Sequence, residues 1–253
     1  MNERNSEQIE YESTIGAQTF LLMLLSMALG TLAAVVVLPA WMPRLSASLM
    51  GTDPKAYWYL SRGSSFVAMG LLWVSMALGL GISNKMARIW PGAPAAFAIH
   101  EYVSLLGLSF AIFHALVLMG DHYIKFTLAQ IVVPFATVGY KPLWVGLGQV
   151  GFYVWLLVAL SFYVRSKIGT KVWRAIHYIS FLCFCAAMYH GISSGTDTKE
   201  LWAQSIYWFA GGSLLFLLVY RIIVSVTAKF SKPAPRAMPV SAVQAREGTP
   251  STQ

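Results

Sequence analysis

HEYVSLLGLSFAIFH, residues 100–114, is an apolar run closed at both ends by histidine, and HYISFLCFCAAMYH, residues 177–190, has the same form. The histidines are fourteen residues apart in the first stretch and thirteen in the second. On a helix rising about 1.5 Å per residue, each pair is separated by about 20 Å along the axis. That distance is most of the roughly 30 Å hydrocarbon thickness of a bilayer. Each stretch therefore reads as a membrane span with one imidazole near either edge.

The rest of the chain agrees. Of 253 residues, 57% are hydrophobic and only 11% charged. So few charges cannot solvate the surface of a globule, whose chain carries about 25% of them. Six apolar segments are predicted to cross the bilayer, near residues 18–38, 57–82, 97–119, 144–164, 174–192 and 203–223. The first has an acidic flank and no small-residue cleavage pattern after it, so it reads as a retained span instead of a signal peptide. The expected fold is an all-α integral membrane protein, a six-helix bundle. Residues 1–17 form a cytoplasmic segment, 18–224 the transmembrane domain, and 225–253 a Pro-, Ser- and Thr-rich tail expected to be disordered.

The net charge of +8 is distributed as topology and not as a nucleic-acid patch. Lys and Arg crowd one face: Arg4, Lys85, Arg88, the 165–174 loop and the C-terminal tail. The other face holds only Arg44, Lys55, Lys125, Lys141 and Lys199. By the positive-inside rule both termini are cytoplasmic, in a cell (inner) membrane. Cys183 and Cys185 form a C-x-C inside an apolar run, which reads as packing and not as a disulfide or metal site.

Spans 3 and 5 run in the same direction, so His100 is level with His177 and His114 with His190. Two imidazoles at each of two levels is the ligand set for two stacked b-type haems between helices 3 and 5, since a haem iron takes two axial ligands from opposite faces. The alternative is a cofactor-free transporter or scaffold, with the histidines as a proton path or as interhelical hydrogen-bond glue. Helical geometry raises one difficulty. Fourteen residues return His114 to within about 40° of His100, whereas thirteen leave His190 about 140° from His177. Over-winding or a π-bulge in span 5 would correct this, or the two levels lie on different sides of that helix. His122, in the loop after span 3, reads as a solvated histidine or as a group near an external acceptor.

These residues resemble the ferric-reductase-like transmembrane domain, the superfamily of ferric reductases and NADPH oxidases. The stretch VWRAIHYISFLCFCAAMYHG is also similar to the haem-binding membrane subunit of a periplasmic methionine-sulfoxide reductase system. Residues 57–83 and 140–161 add to the likeness, which covers roughly Tyr57 to Tyr220. The resemblance implies an oxidoreductase subunit for transmembrane electron transport. His100 and His177 ligate an inner haem, and His114 and His190 an outer one. Arg62 either pairs with an outer-haem propionate or snorkels to the membrane surface, and Lys85, Arg88, Lys171 and Arg174 could pair at the inner level. The implied donor is a separate soluble flavin reductase, a loosely bound flavin or a quinol. The acceptor is a ferric chelate or a periplasmic redox protein. Two features depart from the family. A flavin or nicotinamide module is not expected, so the chain is expected not to oxidise NADH or NADPH alone. The position where NADPH oxidases carry a further histidine is Leu118, which argues against superoxide production.

Overall fold

The computed structural model describes residues 13–44, 47, 56–84, 86, 92–121 and 123–230. Residues 1–12, Lys85, Arg88, His122 and the tail from 231 lie outside the described residues. Among the described residues the chain is helical, and six helices are long and apolar enough to span a membrane: Ala17–Trp41, Ala56–Ser83, Ala93–Gly120, Pro142–Ser161, Thr170–Ser194 and Leu201–Thr227. They correspond one to one with the predicted segments and are called spans 1 to 6. The sixth helix continues to Phe230, beyond the predicted domain end at 224, with Ser225 Oγ and Thr227 Oγ1 donating to carbonyls a turn earlier. The fourth stops at Ser161, short of Val164, where the chain turns into the basic loop.

Span 1 contains a π-helical stretch, Ala33–Val37. Pro39 follows, and it has no N–H to donate while its ring would press on the carbonyl four residues back. Widening that turn accommodates the ring without ending the helix.

Packing joins the spans in pairs. Span 2 lies along span 3, and the second half of span 5 lies along span 4. Span 1 covers span 3, and span 6 covers span 2. The core between the pairs holds Met69, Leu72, Met76, Leu80, Leu105, Leu108, Trp155 and Phe184. Large apolar side chains cover the outside as well. Leu25, Leu29, Leu157, Leu182, Leu215 and Phe216 are all exposed, as a surface solvated by acyl chains demands.

Glycine sets the closest approach in the middle of the bundle. A Cβ at Gly107 would lie 2.5 Å from Trp155 Cη2. Gly107 is midway between His100 and His114, so the Trp155 indole fills the interior between the two histidine levels.

Candidate functional site: two levels of paired histidines

The structure brings the four histidines together in the expected twos. The rings of His100 and His177 have centroids 6.2 Å apart, and those of His114 and His190 are 6.1 Å apart. No group of three or more His, Cys, Asp or Glu side chains able to hold a bare metal ion is present among the described residues. Two imidazoles suffice where a macrocycle supplies the other ligands.

The spacing fits such a group. A metal–imidazole nitrogen bond is about 2.0 Å, and the ring centre lies about 1.1 Å behind the nitrogen. Two imidazoles on opposite sides of one metal would therefore have centroids about 6.2 Å apart.

Hydrogen bonding fixes the tautomer. His100 Nδ1 lies 2.9 Å from the Ser75 carbonyl, His114 Nδ1 2.8 Å from that of Ser61, and His190 Nδ1 2.8 Å from that of Trp144. A carbonyl only accepts, so each Nδ1 carries the proton and each Nε2 keeps its lone pair free to ligate. Ligand histidines are oriented in this way by their second nitrogen. His177 instead lies against Trp173, with ring centroids 5.2 Å apart and planes tilted by 35°.

The orienting carbonyls come from spans 2 and 4, one span to each histidine-bearing helix. Ser61 and Ser75 are fourteen residues apart, as are His100 and His114. The antiparallel spans 2 and 3 therefore match a serine to each histidine. Ser61 Oγ also lies 2.9 Å from His114 Nδ1 and donates to the His114 carbonyl at 3.0 Å. Ser75 Oγ is 2.7 Å from Ser104 Oγ, which in turn bonds the His100 carbonyl. Glycines make room for the rings. A Cβ at Gly148 would lie 2.5 Å from His190 Nδ1, and one at Gly79 would lie 3.5 Å from His100 Cε1.

Span 5 resolves its register by breaking. The helix Thr170–Tyr178 ends, Ile179 N–H donates to the Ile176 carbonyl three residues back, and a new helix runs Ser180–Ser194. A tightened turn of this kind over-winds the chain. It frees His177 and His190 from the register of one continuous helix, so both face span 3. Spans 3 and 5 are not among the closely packed helix pairs; across the centre they meet through the histidine rings.

Arg62 sits one residue from Ser61, at the His114 level. It donates from Nε to Asp197 Oδ2 at 2.8 Å and from Nη2 to Asp197 Oδ1, so its charge is shared with a carboxylate of the loop before span 6. Its guanidinium also lies 5.6 Å from the Tyr59 ring. Near the His177 level, Trp173 Nε1 and both amide atoms of Asn84 are buried without a hydrogen-bond partner among the described residues. Groups with carboxylate edges fit the two donors among these atoms, Trp173 Nε1 and Asn84 Nδ2.

Glu101 is the residue the sequence reading passed over, although it is the only acidic residue inside the six predicted spans. That rarity was the available signal. Its carboxylate accepts from Thr14 N at 2.7 Å, Ile15 N at 3.0 Å and Tyr163 Oη at 3.3 Å. It ties the start of span 1 and the end of span 4 to the residue beside His100.

No family model matches this chain, and neither a curated protein nor a solved structure matches it.

Proposed function

We propose that this chain is an oxidoreductase membrane subunit that carries electrons across the bilayer through two b-type haems, one held by His100 and His177 and the other by His114 and His190. The observation that carries the reading is the pair of ring separations, 6.2 and 6.1 Å, at two levels of the same two helices. When bound, the haems supply one-electron carriers inside a dielectric that blocks free charge. The chain's own residues do the rest. Ser61, Ser75 and Trp144 carbonyls hold the ligand rings in the metal-binding tautomer. Trp155, Leu72, Leu105, Leu108 and Phe184 keep water out between the levels. Arg62 and Asp197 set the local charge at one end.

The hydrogen-bond-glue alternative accounts for the Nδ1 contacts, which join span 2 to span 3 and span 4 to span 5. It leaves unexplained why rings from the two different pairs meet at one separation twice.

On this reading the Arg165–Arg174 side is cytoplasmic and receives electrons from a soluble flavin reductase, a loosely bound flavin or a quinol. The His114 side delivers them to a ferric chelate or a periplasmic redox protein. The test is transmembrane reduction in sealed vesicles containing the purified, haem-loaded protein, with ferric chelate inside and dithionite outside. Internal iron should be reduced at a rate set by protein content. Haem-loaded vesicles no faster than protein-free ones would refute the function.

A further inference from the structure

The loop between spans 3 and 4 has an unusual composition for a segment in water. Residues 126–140, FTLAQIVVPFATVGY, contain no charged side chain and are bracketed by Lys125 and Lys141. A short helix, Leu128–Val132, opens on a Thr127–Gln130 capping box. Leu128, Val132, Val133 and Phe135 are 45%, 49%, 51% and 51% exposed.

The carbonyls that this helix leaves open are met from one direction. Gln149 Nε2 donates to Gln130 O at 2.6 Å and to Ile131 O at 2.7 Å, and Tyr153 Oη donates to Val132 O. Gln149 Oε1 accepts from Phe135 N at 3.2 Å. Phe135 holds a left-handed backbone, φ 64°, uncommon for an aromatic residue and sustained only where the surroundings impose it. Its ring lies over Gly146, where a Cβ would meet Phe135 Cδ1 at 2.1 Å.

These partners lie well inside span 4. That helix has 20 residues, about 30 Å, which leaves no excess over the hydrocarbon thickness. Gln149 is seven residues and Tyr153 eleven residues from its start at Pro142. Allowing for side chains that lean toward the helix N-terminus, the carbonyls of 130–132 lie about 10 Å below that start. Irregular backbone at such depth is tolerated only when its polar groups are satisfied by protein. Gln149 and Tyr153 provide that satisfaction.

We infer that residues 126–138 form a re-entrant segment, inserted from the His114 side into the adjoining leaflet beside span 4, with Leu128, Val132, Val133 and Phe135 facing acyl chains. Its apolar face continues the exposed apolar face of span 4, formed by Val150, Tyr153 and Leu157. Of the bracketing lysines, Lys141 holds to the end of span 5, its Nζ donating to Ser193 O at 2.7 Å. Tyr140 Oη donates to Ser194 O at 2.6 Å and fastens the same end.

Site-directed spin labelling tests this. Leu128→Cys, Val133→Cys and Tyr123→Cys are labelled in a Cys183→Ala/Cys185→Ala background, in phosphatidylcholine–phosphatidylglycerol vesicles. Labels at 128 and 133 should be severalfold less accessible to a water-soluble nickel chelate than the label at 123, and more accessible to oxygen. Adding Gln149→Leu, with helicity retained by circular dichroism, should raise nickel accessibility at 133 toward the value at 123. Equal nickel accessibility at 123, 128 and 133 would show a water-facing surface, open to a soluble partner, and overturn the inference. No change with Gln149→Leu would overturn the role given to Gln149.

Discussion

Gly148→Ala places a methyl group where the His190 ring now lies. The added Cβ would sit 2.5 Å from Nδ1 and 2.6 Å from Cγ, so the ring must retreat by about 1 Å to reach ordinary van der Waals contact. Metal–ligand distances hold to within about 0.2 Å, and the same displacement breaks the 2.8 Å bond from Nδ1 to the Trp144 carbonyl. Loss of such an orienting bond typically lowers metal affinity by about 10- to 100-fold. Gly148→Ala should therefore lose the haem of the His114/His190 level and keep the other. Gly79→Ala is the matched control, because its Cβ would meet His100 Cε1 at an ordinary 3.5 Å. The assay is pyridine haemochrome content per chain, with the reduced-minus-oxidised spectrum of monodisperse protein. Gly148→Ala should hold about half the parent content and Gly79→Ala all of it. Full haem content in Gly148→Ala, or equal losses in the two variants, would refute the placement of His190 as a ligand.

The remaining predictions separate the levels and the charges. His100→Ala and His177→Ala should remove one spectral component, and His114→Ala and His190→Ala the other; loss of a shared component by His100→Ala and His190→Ala would break the pairing. Arg62→Gln should lower the midpoint potential of the His114/His190 level and Asp197→Asn should raise it, because a cation favours the electron-rich state and an anion opposes it. The double variant should lie near the parent in redox titration, and shifts of the same sign in the two single variants would remove the pair from that site's electrostatics. Glu101→Leu leaves the Thr14 and Ile15 amides without their acceptor, at a cost of about 1–3 kcal/mol for the buried Ile15 group. It should lower the thermal midpoint in detergent and open residues 13–16 to protease.

Hydropathy alone carried the six spans, because a helix long enough to cross lipid leaves a run of apolar residues that no soluble fold requires. The levels of the histidines were equally legible, since rise per residue is fixed by the helix. Azimuth was not. The thirteen-residue spacing of His177 and His190 conflicts with a regular helix, and only the turn at Ile179 removes the conflict. Side-chain partners that join distant segments were also hidden. Arg62 and Asp197 are 135 residues apart, and Glu101 bonds backbone amides 86 and 87 residues earlier. Gly148 is one glycine among 20, and its importance lies in what stands opposite. Ser61 and Ser75 could have been noticed, because their fourteen-residue spacing repeats that of the histidines they orient.

Haem content measured on the protein itself bears most directly on the central claim. Protein purified from haem-replete cells should give a reduced b-type spectrum of low-spin, bis-imidazole character, with about two haems per chain by pyridine haemochrome assay. A chain that folds as a monodisperse six-span protein in those cells and contains essentially no haem would contradict the account.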